Sequence, residues 1–221
     1  MTEAVGRYYG DLPDGKILLA VTLPDGADET EARVLFQDRE EISAEQRRKI
    51  FAIIAEIADW SGHDPEYLRK NLTKDFLMVN REKLMLSIIS LASGGGCDKG
   101  LASLLIDYLI DFCLENNVPT SRPLQEYADD IEKYVYASLL HKRCLICGRK
   151  ADLHHVDQVS MGYSRNTKPQ IGALVMPLCR EHHSEYHTIG RTAFEERYHA
   201  VPVPMDKRIA GKYHISGKAA T

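Results

Sequence analysis

Between Cys144 and His187 the chain gathers three cysteines and five histidines, side chains that bind metals and move protons. Cys144-Leu-Ile-Cys147-Gly148 is a Cys-x-x-Cys knuckle, and its glycine permits the tight turn that lets two thiolates face one ion. Cys179 is followed three residues later by His182. Two close donor pairs separated by about thirty residues match a tetrahedral structural zinc site. The knuckle by itself reads equally well as a redox motif or as two buried thiols. The second pair favours a metal, because a lobe too small to bury its own core gains its stability from a metal staple.

Zinc on Cys144, Cys147, Cys179 and His182 leaves four histidines over. His154 and His155 lie in the alternating stretch ADLHHV, which predicts a strand. Adjacent strand residues point to opposite faces unless the backbone bulges, so one site could use both only by a distortion or a lateral approach. His183 and His187, four apart, share one face of a helix and can chelate one cation. The Cys-x-x-His spacing favours His182 over His183 for zinc, with a one-residue exchange as the alternative.

Cys-x-x-Cys, then LHHVD, then PLCREHHSEYH resembles the HNH (His-Asn-His, ββα-metal) endonuclease superfamily over residues ~141 to 200. The resemblance implies metal-dependent hydrolysis of DNA phosphodiester bonds, leaving 5′-phosphate and 3′-hydroxyl ends. It makes His155 the general base and His154, His183 and His187 the ligands of a catalytic divalent cation, Mg²⁺ or Mn²⁺, beside the structural Zn²⁺. Imidazole titrates near neutrality and can take a proton from water, while a cation neutralises charge growing on the phosphate and leaving oxygen. The family's middle Asn is missing from its usual place before the second strand. Leu174 occupies that position, and Asn166 lies eight residues earlier, which bears on loop rigidity more than on chemistry.

These donors need elements to hold them. Residues 16 to 23 and 32 to 37 predict two strands of a small hairpin. Ser43 with Gln46 forms a capping-box pattern before a helix whose Ile50, Phe51, Ile53, Ile54, Ile57 and Trp60 suggest one broad apolar face. Asp64-Pro65 starts a second helix running to about Phe76. Gly94-Gly95-Gly96 has no Gly-Lys-Ser/Thr after it and reads as a connector, not a phosphate loop. Apolar helices follow from about Asp98 to Asn116 and from Leu124 to Leu140. The fold class is α+β: a mainly helical domain with a small sheet over residues 1–140, then a zinc-stapled ββα-metal module over 141–221.

Charge divides at the same point. Residues 141–221 carry 13 Lys+Arg against 7 Asp+Glu, a balance of +6, whereas residues 1–140 carry 15 against 25, a balance of −10. A basic module joined to an acidic domain fits a nucleic-acid enzyme despite the net charge of −4. Arg143, Arg165, Lys168, Arg180 and Arg191 are candidates for phosphate contacts, as are Arg149 and Lys150, and none of them implies base readout.

The stretch ISAEQRRKIFAIIAEIADWSGHDPEYLRKNL is similar to the opening helices of NinB/Orf-type phage recombination proteins, and the whole chain resembles an HNHc nuclease of phage or prophage origin. That likeness implies a domain that handles single-stranded or branched DNA, or docks a single-strand-binding protein, during recombination or replication. No apolar stretch approaches the ~20 residues of a membrane span. The N-terminus lacks a basic start with an apolar run, which predicts a reducing cytoplasm, that of the bacterial host for a phage protein, without disulfides. Two rival readings are a non-catalytic zinc finger that binds DNA or protein, and a degenerate nuclease kept as a structure-specific binder.

Overall fold

The computed structural model describes residues 6–11, 17–21, 41–79, 91, 97–156 and 171–215. The chain divides into two compact units, Met1–Asp38 and Arg39–Thr221. In the first, strands β1 (Gly6–Asp11) and β2 (Ile17–Val21) pair antiparallel, with an irregularity between Tyr8 and Gly10. The strand expected at 16–23 is therefore present, but it pairs with an N-terminal segment whose glycines weaken its strand signal. The expected partner, residues 32–37, lies outside the described residues, as does Gly94-Gly95-Gly96.

The second unit is mostly helical. Helix α1 (Ala44–Ser61) begins at the capping box, where Ser43 Oγ accepts from Gln46 N and Gln46 Oε1 accepts from Ser43 N. Gly62, at φ +72°, ends it in the left-handed conformation that costs glycine least. Ile50, Ile53, Ile54 and Ile57 are buried. Phe51 and Trp60, expected on the same face, are 46% and 45% exposed. At about 100° per residue they fall to either side of the isoleucine stripe.

Helix α2 (Pro65–Val79) starts at Asp64, whose carboxylate accepts from Tyr67 N. Helix α3 (Lys99–Asn116), capped by Asp98, is buried along Leu105, Ile106, Leu109 and Ile110 and packs against α1 and α2. The single helix expected from Leu124 to Leu140 is two elements. A 3-10 turn (Leu124–Tyr127) comes first, the backbone then extends, and Asp130 caps α4 (Ile131–His141) by accepting from Lys133 N. Adjacent aspartates break the helix because one serves as the cap and the other is drawn into a polar clasp.

Beyond α4 lies a three-stranded antiparallel sheet in the order β3 (Asp152–His155), β4 (Leu174–Leu178), β5 (Val203–Pro204). Helices α5 (Arg180–Ile189) and α6 (Arg191–Tyr198) separate β4 from β5, and α7 (Lys207–Lys212) follows. Buried Val135 and Leu139 of α4 share one core with Val175, Met176 and Leu178 of β4, Phe194 and Ile209. Polar links reinforce the join: Tyr136 Oη donates to Asp206 at 2.7 Å, and Gln125 Nε2 donates to the carbonyls of Tyr198 and His199. No helix among the described residues is long and apolar enough to cross a membrane.

The clasp centres on Gln46, only 8% exposed, whose Nε2 lies 2.9 to 3.0 Å from Lys99 O, Ser103 Oγ and Asp129 Oδ2. Asp129 also accepts from Ser103 Oγ and pairs with Lys49 at 2.8 Å. Partial burial pushes the Asp129 carboxyl up, but the bonds from Lys49, Gln46 and Ser103 outweigh it and hold the pKa below the ordinary carboxylate value. Asp129→Ala removes the acceptor that Gln46, Ser103 and Lys49 share and is expected to cost about 1–2 kcal/mol in urea unfolding at pH 7. The wild-type advantage should be complete above the ordinary carboxylate pKa and should disappear as pH falls through the lowered one. An advantage independent of pH would show that the carboxylate charge is irrelevant.

Candidate metal centres and active site

The knuckle is set by backbone hydrogen bonds that leave its sulfurs projecting together. Lys142, at φ +54°, ends α4, and Arg143 and Lys150 then form an isolated bridge. Within that loop Cys144 N donates to Arg149 O at 2.7 Å and Gly148 N donates to Cys144 O at 2.8 Å, with Gly148 at φ +68°. A side chain at Gly148 would be strained, as the sequence predicts. Leu145 N donates to Pro177 O, tying the knuckle to β4.

One residue past β4, Cys179 caps α5 through its backbone and keeps its thiol free of any capping bond. This brings Cys179 Sγ to 3.2 Å from His182 Nδ1 and 3.7 Å from Cys147 Sγ, and puts Cys144 Sγ 3.4 Å from the same nitrogen. All four donor atoms lie within 4.8 Å of one another. Ligands at zinc bond lengths on a tetrahedron stand about 3.3–3.8 Å apart, so the separations and the Cys3His chemistry both fit. All five cysteines are free thiols, as expected.

Protonation follows position. Burial pushes the Cys144 thiol up to about 12. Burial also raises Cys147, but hydrogen bonds led by Arg149 reverse the sign and lower it. Arg149 Nε lies 3.3 Å from Cys147 Sγ, and its guanidinium is clamped by both carboxylate oxygens of Glu181. Expected as a cation for phosphate, Arg149 is engaged here with the thiols. Neither this pair nor Tyr198, whose ring packs edge-on to His182 at 5.5 Å, is marked by a motif in the sequence.

The leftover histidines form a second cluster. Strand β3 is regular through His155, pairing His154 with Met176 and His155 with Val175, so the two imidazoles leave on opposite faces. His154, 3% exposed, turns toward α5 and meets His183 and His187 at ring separations of 4.6 and 5.4 Å. Those two lie 4.9 Å apart, and one nitrogen from each of the three falls within 4.8 Å of the others. His182 thus groups with the cysteines, and His183 with His154. Tyr186, which the sequence reading missed, closes the floor at 4.2 Å from the His154 ring. The sequence shows only an aromatic one position before His187, and its burial appears with the structure.

Burial, then the charges of His183, His187 and His155, lowers the His154 pKa to about 4. Burial likewise lowers His183. His154 Nε2 is buried and has no hydrogen-bond partner among the described residues. A neutral imidazole with an unpaired buried nitrogen, beside two more imidazoles, is the donor chemistry a cation completes.

His155, half-buried at the end of β3, stands outside the cluster. Among the cations expected on phosphate, Arg180 is exposed at the first turn of α5, Arg191 pairs with Glu195 at 2.8 Å, and Arg143 lines a cleft under the knuckle. Arg165, Lys168 and Asn166 lie outside the described residues, while Leu174 opens β4 and pairs with Pro204.

No curated protein and no solved structure shows significant similarity to the chain, so the likeness to NinB/Orf-type recombination proteins has no counterpart among these comparisons. One family model does match, described as "Putative HNHc nuclease", and it spans residues 20–214, from β2 through α7. The match covers far more than the cysteine and histidine segment, and it places the helical platform and both donor clusters within one family unit. The chain belongs to this HNHc nuclease family.

Proposed function

We propose that the chain is an endonuclease that hydrolyses DNA phosphodiester bonds, with His155 as general base, a divalent cation held by His154, His183 and His187, and Zn²⁺ held by Cys144, Cys147, Cys179 and His182. The observation that carries this reading is that consecutive residues of α5 serve different donor sets, His182 the thiols and His183 the imidazoles. A binding finger needs the first set alone. The second adds three imidazoles that such a finger does not use, and among the described residues its buried His154 Nε2 has no hydrogen-bond partner.

His154, His183 and His187 would hold a divalent cation, with Mg²⁺ and Mn²⁺ as the candidates to try first, and it would supply charge neutralisation at the scissile group and the leaving oxygen. The remaining roles belong to the chain. Burial keeps His154 neutral, so its lone pair is available at physiological pH. Three neutral ligands leave the site's positive charge undiminished for a phosphate. His155 lies next in sequence to His154 but outside its donor set, which is what a base requires, since an imidazole engaged as a ligand cannot take a proton from water. The sequence β3, β4, α5 then corresponds to a ββα-metal module. On this reading residues 141–221 hold the chemistry and residues 1–140 a platform, supported by the core that α4 shares with β4.

His155→Ala is expected to lower Mg²⁺- or Mn²⁺-dependent cleavage of a plasmid or oligonucleotide by about 10²-fold or more while zinc content and circular dichroism stay at wild-type values. Unchanged cleavage would remove His155 from the mechanism.

The lowered His154 pKa has a second consequence. As pH falls from about 6.5 to about 4, the unfolded chain binds a proton at this histidine that the folded protein refuses, so stability decreases through that window and this contribution is flat above it. Urea midpoints measured from pH 7.5 to 4.5 without added Mg²⁺ or Mn²⁺ should fall less steeply for His154→Leu than for wild type. Parallel curves would rule out His154 as the titrating group.

A further inference from the structure

A cleft of about 510 Å³ opens between the Asn117–Leu124 segment after α3 and the Arg143–Arg149 knuckle loop, within the size range of small-ligand sites. None of its lining residues belongs to the histidine cluster. Among the described residues its lining includes three arginines, Arg122, Arg143 and Arg149, and no aspartate or glutamate. That composition stands out in a chain of net charge −4. Arg149 is committed to Glu181 and the thiols. The other two are not: among the described residues neither Arg122 nor Arg143 pairs with a carboxylate, and Arg143 Nε is buried without an acceptor. With no carboxylate committed to them among the described residues, the exposed Arg122 and the half-buried Arg143 are left to an acceptor from outside the protein.

We infer that this cleft is a second nucleic-acid site, which takes a phosphodiester group of the substrate strand on Arg122 and Arg143, apart from the bond being cut. The guanidinium fork matches two phosphate oxygens, and Arg143 approaches from the knuckle while Arg122 approaches from the loop after α3. Pro119, Pro123 and Ile146 give the same cleft an apolar wall on which a sugar or base can rest. The site joins the two parts of the chain, the loop belonging to the helical platform and the knuckle to the zinc-type cluster. It rests on the nuclease reading only in requiring a nucleic-acid substrate.

The test uses the full-length protein, zinc retained, with fluorescein-labelled 20-nucleotide single-stranded DNA of two unrelated sequences, followed by anisotropy without added Mg²⁺ or Mn²⁺ so that no cleavage occurs. Arg122→Ala and Arg143→Gln should each weaken binding about threefold or more, equally for both sequences, and each should reduce the slope of log K against log salt by about 1. Arg122 is exposed, so its variant carries the test even where Arg143→Gln fails to fold. Unchanged affinity and slope in Arg122→Ala, or no binding by wild type, overturn the proposal. A wild-type melting temperature raised by inorganic phosphate, with DNA binding indifferent to Arg122→Ala, identifies a small-anion site and also overturns it. The nuclease reading fails separately, when the wild-type protein shows no Mg²⁺- or Mn²⁺-dependent cleavage.

Discussion

Helical twist at the start of α5 is the constraint on which the candidate site depends. Consecutive helical residues diverge by about 100°, so His182 and His183 cannot serve the same ion without distortion. The fold places one donor set on each side. Cys179 sets the phase, because its carbonyl accepts from His183 N at 2.8 Å while its thiol joins His182 and the knuckle cysteines. A cysteine gives its helix no side-chain cap, and Glu181 in the first turn compensates by placing negative charge near the positive end of the helix. That same carboxylate holds Arg149 against the Cys147 sulfur. Helix electrostatics and thiolate stabilisation therefore pass through one ion pair.

Strand β4 carries this phase to the rest of the protein. Its Pro177 carbonyl accepts from the knuckle, its edges pair with β3 and β5, and α4 packs on it from the platform. Tyr134 of α4 donates to Leu145 O inside the knuckle at 2.8 Å. Beneath the cluster, Tyr186 packs against Phe194, and Phe194 against Tyr198 beside His182. A shift of α4 would move the knuckle and the β3 histidine together, which keeps the two donor sets in step.

Local rules made much of this legible in the sequence. The capping box at Ser43, the Asp64-Pro65 start and both donor spacings are short-range signals, and each has its counterpart in the structure. What escaped the sequence depends on distant partners. Phe51 and Trp60 are as apolar as the buried isoleucines, and only the direction of the packing stripe separates them. The break between Tyr127 and Asp130 follows from the bonds of Asp129 to Gln46 and Lys49, some eighty residues away in sequence. Arg149 looked like one more surface cation, because nothing local announces that Glu181 and two sulfurs surround it. The sequence also left open whether β3 was distorted, and the regular pairing shows that it is not, which puts His154 and His155 on opposite faces.

That separation gives the strongest physical reason to regard the histidine cluster as a functional site rather than a packing solution. The position of His154 is 3% exposed and faces Tyr186, an environment an apolar side chain would fill without an unpaired polar atom. An unsatisfied buried nitrogen costs about 1–3 kcal/mol. Acid adds to that cost, because the site cannot accept a proton until pH nears 4. A protein bears such a local conflict where the group does something packing does not require. The neighbouring residue differs: among the described residues His155, half-buried, lies outside the three-imidazole set. Strand alternation assigns the two histidines different environments one residue apart, one buried among imidazoles and the other half-buried on the opposite face.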